Sequence, residues 1–129
     1  MNIIELINSK DNLIPLSPAS QKEINEAEKK LELKFNEEYQ KYISTFGAVV
    51  YDGHEITGVC KAARLNVINV TREERKYNSF VPKDWYVIES LGIDGIVIWQ
   101  NEIGEIYQTT PNGSIKKIYD SLYEYIKES

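Results

Sequence analysis

Apolar positions along the chain follow two different periods, and Gly47 divides them. Before it, apolar residues recur at three- and four-residue intervals. Ile3, Ile4 and Ile7 fit one short helix over 3–8, and the segment DNLIPLSPAS reads as a loop because of its two prolines. Ser20 and Glu23 have the spacing of a capping box, in which each side chain satisfies an orphan amide of a helix start. Ile24, Ala27 and Leu31 follow, predicting a helix over 21–32. Asn36 is a second N-cap, with Glu37 and Glu38 in the turn where the helix dipole favours acids. Tyr39, Tyr42, Ile43 and Phe46 form the apolar stripe of that helix, and Gly47 ends it.

After Gly47 the period drops to two. AVVY and EITGVC read as short strands around the turn Asp52-Gly53. NVINV at 66–70 fits either an extended or a helical piece. Thr71 and Glu74 offer another capping box, and REERKYN then predicts an exposed helical turn or two closed by Pro82. WYVIES, IVIWQ, EIYQTT and SIKKIY are four strand candidates joined by turn-rich connectors, which predicts an antiparallel meander. DSLYEYIKES closes the chain as a helix with Leu122, Tyr123 and Ile126 on one face. The expected fold is one α+β domain over 1–129, its N-terminal helices and C-terminal helix packed on one face of a largely antiparallel sheet. The other sheet face then meets water or a partner.

Composition narrows the function. At 129 residues, 42% apolar and 27% charged, the chain has the balance of a globular domain with a substantial core. A net charge of −5 disfavours nucleic acid as a partner. No apolar run approaches the roughly 18 residues of a membrane span, and MNIIELIN lacks the basic start of a signal peptide. The single Cys60 forms no internal disulfide, so the expectation is a reducing compartment, the cytoplasm. The glycosylation-like triplets at Asn69 and Asn112 carry no weight there.

The stretch SPASQKEINEAEKKLELKFNEEYQKYISTFGA resembles the N-terminal signature of the SUKH superfamily of cell-wall assembly regulators and bacterial toxin-immunity domains. The matching positions are Ile24, Ala27, Glu28, Leu31, Tyr39, Tyr42, Ile43 and Gly47. Further along, Glu55-Ile56-Thr57-Gly58, the WYVIES strand, the Asp94-Gly95 turn, the strand from Gly104 to Tyr107 and SLYEYI match in order. Asn36 departs from the family's usual proline, and both residues suit a helix start. The resemblance implies a non-enzymatic binding protein. Bacterial members are mostly immunity proteins that neutralise polymorphic or contact-dependent toxins, many of them nucleases or deaminases. Eukaryotic relatives act as interaction modules in cell-wall synthesis. It implies a cognate toxin domain as protein partner, with no cofactor needed; a membrane or nucleic-acid partner is not expected from hydropathy and charge, and the expected state is a monomer or weak dimer. The alternative is a regulatory interaction module with an endogenous partner.

The charges are unevenly distributed. Residues 61–83 hold six cations against Glu73 and Glu74, whereas residues 84–115 hold Asp84, Glu89, Asp94, Glu102 and Glu105 without one Lys or Arg. One reading has the two segments neutralise each other. The other has an acidic patch facing a basic toxin, since a nuclease is cationic where it grips phosphate. The expected partner-binding residues are Asp52, Glu55, Asp94, Glu102 and Glu105, with Tyr51, His54 and Trp99 as aromatic anchors. Both sides of IVIWQ are apolar, so Trp99 is either buried in a central strand or on a binding surface. His54 lies between Asp52 and Glu55, but alternate strand positions point apart, so metal binding or catalysis is not expected. Cys60 reads as a buried thiol.

Overall fold

The computed structural model describes all of residues 1–129. In chain order the elements are α1 (Ile3–Asn8), β1 (Ile14–Pro15), α2 (Gln21–Leu31), α3 (Glu37–Phe46), β2 (Val49–Tyr51), β3 (His54–Ile56), a 3-10 turn (Ala63–Leu65), α4 (Val67–Tyr77), β4 (Tyr86–Ser90), β5 (Val97–Gln100), β6 (Ile106–Thr109), β7 (Ile115–Tyr119) and α5 (Leu122–Glu128). The fold is α+β, as the change of period predicts.

The helix starts are built as their sequences dictate. Ser20 Oγ accepts from the Glu23 amide at 3.1 Å while Glu23 accepts from the Ser20 amide at 2.9 Å. Asn36 Oδ1 accepts from the Glu38 amide at 3.1 Å. Tyr39, Tyr42, Ile43 and Phe46 are all buried in one cluster of 25 residues that also holds Ile24, Ala27, Leu31, Tyr86, Ile98, Ile106 and Ile126.

The strands form two antiparallel sheets rather than one, ordered β1-β2-β3 and β4-β5-β6-β7. They meet where the Thr57 amide donates to the Ile88 carbonyl at 2.9 Å and the Thr57 hydroxyl donates to the Val87 carbonyl at 2.7 Å. β1 lies inside the segment expected to be a loop; Pro15 is tolerated because β1 is an edge strand. EITGVC is a strand only to Ile56. Beyond it Gly58 bridges Asn66 in parallel, and its backbone touches that of Gly47 so closely that a Cβ on Gly58 would lie 1.6 Å from the Gly47 carbonyl oxygen. Gly47 itself has φ +73° and presses on the Ser17 carbonyl.

Three further expectations are corrected. First, of the two forms open to NVINV the helical one is found, and it moves the helix start: α4 is capped by Asn66, whose side chain accepts from the Ile68 amide at 2.9 Å. Thr71 is therefore no cap. It is buried in mid-helix, and its hydroxyl accepts from the Val87 amide at 3.0 Å. Second, the sheet face opposite the main core is largely covered by the chain itself. α4 packs against β4, and a second cluster of Val81, Trp85, Val87, Val97 and Trp99 lies on that face, with Trp85 stacked on Tyr107 at 4.2 Å between centroids. Third, in α5 the inward aromatic is Tyr125, not Tyr123, beside Leu122 and Ile126. No helix is long and apolar enough to cross a membrane.

Candidate protein-binding surface

Strand register separates the eight residues expected at the interface. Glu89 pairs with Ile98 and Ser90 with Val97, so the loop carrying Asp94 lies at one end of β5. Glu55 lies at that same end, because its amide donates to Glu89 Oε2 at 2.9 Å. Tyr51, Asp52 and His54 sit with it on the β2–β3 hairpin. Glu102 and Glu105 follow Gln100 at the opposite end, about 13 Å away along a four-residue strand. The eight residues therefore do not make one patch.

The acids also differ in how far they are neutralised. Glu55 is ion-paired to Arg64. Glu105 is bound by Lys117 at 3.0 Å, and Lys117 also holds Asp120 at 2.7 Å. The Asn101 amide and then Lys117 hold the Glu105 carboxyl below its ordinary range, while Asp120 and Glu105 together raise Lys117. Asp52 accepts from the Asn12 side chain at 2.8 Å. Asp94 and Glu102 are exposed and have no ion-pair partner. The cations facing the acids come from the 3-10 turn and from β7, and no ion pair joins residues 61–83 to residues 84–115, so the expected neutralisation between those two segments is not found.

Two of the expected aromatic anchors are corrected. Trp99 is 0% exposed: β5 is a central strand covered on both faces, and its indole nitrogen donates to Thr109 Oγ1 at 2.8 Å. Tyr51 is also buried, with its hydroxyl 2.6 Å from Ser129 Oγ and Lys10 Nζ over its ring. Burial pushes that phenol up to about 12. Only His54 stays half-exposed, stacked on Tyr51 at 5.3 Å.

His54 does not join Asp52 and Glu55. Each of the three turns to a different partner, and His54 turns to Glu89, a carboxylate 3% exposed. Its Nδ1 lies 3.1 and 3.2 Å from the two carboxylate oxygens. A carboxylate only accepts, so Nδ1 carries the proton. Tyr125 donates to Glu89 Oε1 at 2.6 Å. A bulge between Val87 and Glu89 makes this possible by turning the carboxylate to the side on which α5 packs. The cluster fixes the hairpin to the rest of the molecule. No three His, Cys, Asp or Glu side chains are arranged to hold a metal ion. Cys60 is half-buried, and desolvation raises its thiol, which lowers its reactivity.

Several surface features escaped the sequence reading. Ile93 and Ile103 are 64% and 79% exposed at the two ends of β5, and Tyr77 is 71% exposed at the end of α4. An apolar residue within a turn is the signal that marks the first two. At the Glu102 end the turn is held to α3 by a chain of bonds. The Asn36 amide donates to Tyr86 Oη at 3.0 Å, and Tyr86 donates to Gln100 at 2.7 Å. Gln100 in turn donates to the Gly104 carbonyl at 3.0 Å. Both ends of the sheet thus present exposed isoleucine beside unpaired carboxylate.

No curated protein matches the chain. Among solved structures, a protein from Pseudomonas syringae pv. tomato superposes with a TM-score of 0.81 at 16% identity, covering 98% of this chain and 96% of that one. Identity that low shows a shared fold alone. The profile of the family described as SMI1-KNR4 cell-wall, SUKH_5, matches residues 1–129. Matched from its first residue to its last, the chain belongs to the SMI1-KNR4 family, within the SUKH superfamily.

Proposed function

We propose that the chain is an immunity protein that binds a bacterial polymorphic or contact-dependent toxin, a nuclease or deaminase, and neutralises it by occlusion in the cytoplasm. Family membership over the whole chain is the observation that carries this reading. Unpaired carboxylates beside exposed isoleucines support it further, because a nuclease is basic where it holds phosphate and an acidic cover competes for that surface. The mechanism is stoichiometric, needs no cofactor and makes no covalent bond. A rim acid of the interface speeds encounter, and an apolar anchor slows release.

The words "cell-wall" in the family description favour a second reading, a regulatory module with an endogenous partner. Co-expression with the toxic domain encoded beside the gene decides between them. Survival of cells making both proteins supports immunity. Death while this protein is abundant and folded removes that reading and leaves the regulatory one.

A further inference from the structure

Two shallow grooves beside α4 meet at one carboxylate. The first, about 460 Å³, is lined by Arg64, Asn69, Glu73, Glu74 and Ser90. The second, about 380 Å³, is lined by Glu74, Tyr77, Asn78, Gly95 and Pro111. Together they make one trough running from the 3-10 turn to the β6–β7 turn. α4 is one wall, and the ends of the β4–β6 meander are the other.

The uncompensated charge along this trough is acidic, because Arg72 and Arg75 of α4 turn to the backbone carbonyls of Lys30, Lys83 and Trp85. Arg64 is occupied by Glu55, and Lys76 by Glu73 at 3.0 Å. Glu74 Oε2 accepts from Ser90 Oγ at 2.7 Å, leaving its charge without a cation. Asp94, next to Gly95 of the wall, has none either, and residues 84–115 contribute no Lys or Arg. Apolar surface flanks these acids: Tyr77 stands on the rim, and Ile93 lies two residues before Gly95.

We propose that this trough receives a basic loop of the toxin, with a Lys or Arg on Glu74 and Asp94 and an apolar side chain between Tyr77 and Pro111. This rests on the immunity reading above. Charge complementarity selects the occupant. A polyanion is repelled, and a second copy of this chain placed by a two-fold axis would bring Glu74 towards Glu74. The second exposed cluster, around Glu102 and Ile103, faces the other end of β5 and is not part of this site.

The test is affinity for the catalytically inactivated toxin domain encoded beside the gene, with the full chain and its variants. Tyr77→Ala is expected to weaken binding about 30-fold. Glu74→Gln keeps the Ser90 bond, and Asp94→Asn keeps tolerance of a positive φ; each is expected to slow association several-fold at low salt, and less at high salt. Ile14→Ala, on the edge strand β1 away from the trough, is expected to leave affinity within about 2-fold. All four side chains are at the surface, and unchanged melting temperatures confirm folding. If the wild type binds and protects while Tyr77→Ala and Glu74→Gln bind equally well, the trough is not the site and immunity stands. If the wild type neither binds nor protects, both proposals fall. If Tyr77→Ala turns a dimer into a monomer and leaves toxin binding intact, the trough is a self-association surface and the proposal is overturned.

Discussion

The hydroxyl of Tyr125 on α5 donates a 2.6 Å hydrogen bond to Glu89 Oε1 on β4, joining the last helix to a carboxylate 3% exposed. His54 Nδ1 and the Glu55 amide complete the shell of that carboxylate. One buried charge therefore ties together α5, β4 and the β2–β3 hairpin. Tyr125→Phe removes one donor to a charged group, and the loss in unfolding free energy is expected to be about 1.5–3 kcal/mol. Glu89→Ala strands three donors and is expected to cost about 3 kcal/mol or more. Denaturant titration of the purified variants measures both; a loss below about 0.5 kcal/mol for Glu89→Ala would show that the cluster does not hold the hairpin.

Trp99 separates stability from recognition. Its side chain fills the second core and satisfies its nitrogen on Thr109. Trp99→Ala is expected to cost about 3–5 kcal/mol from lost contact and cavity. Among molecules that still fold, affinity for a partner is expected to be unchanged, since no Trp99 atom reaches the surface. A folded variant with weakened binding would contradict that placement.

Gly58 is required by distance rather than by dihedral angle. A methyl group there would lie 1.6 Å from the Gly47 carbonyl oxygen, backbone that cannot swing aside. Gly58→Ala is expected to lose about 4 kcal/mol or more, or to fail to fold. Gly53→Ala, where nothing lies within 4 Å of the added carbon, serves as the control, with a smaller loss from its φ of +80°. Comparable losses for the two would remove the steric argument.

Alkaline pH is expected to unfold the protein through its tyrosines. Burial raises the phenols of Tyr39, Tyr42, Tyr51, Tyr86 and Tyr125, with Glu89 adding to the rise at Tyr125. A raised folded-state pKa leaves stability intact below the unfolded value of about 10 and removes it as pH climbs from there. Ultraviolet difference titration is expected to show these phenols ionising together with loss of the far-ultraviolet helix signal. Ionisation of all nine tyrosines in a still-folded chain would refute it.

The parts of the fold visible in sequence were those fixed by neighbours in the chain. Ser20 with Glu23, and Asn36 with Glu38, satisfy each other locally, so their spacing alone places the helix starts. The stripe from Tyr39 to Phe46 points inward wherever the helix packs. Thr71 has the same local spacing to Glu74 but lies inside a helix capped by Asn66, and its partner is Val87 on a distant strand. The charge imbalance between 61–83 and 84–115 was legible, and its spatial outcome was not. Glu55 meets Arg64 through the fold of the 3-10 turn, and Glu105 meets Lys117 only because β6 pairs with β7.

By itself, the sequence determined the change from helical to alternating period, the α+β class, the family and the absence of cations from the central strands. These depend on residue type and short-range spacing. Tertiary structure decided that two sheets form where one was expected, that Trp99 and Tyr51 face inward, and that a bulge sends Glu89 to Tyr125. It also decided that the carboxylates divide between two ends of β5. Each of these turns on strand register and on which element covers which face, and both are settled by contacts between residues far apart in the chain.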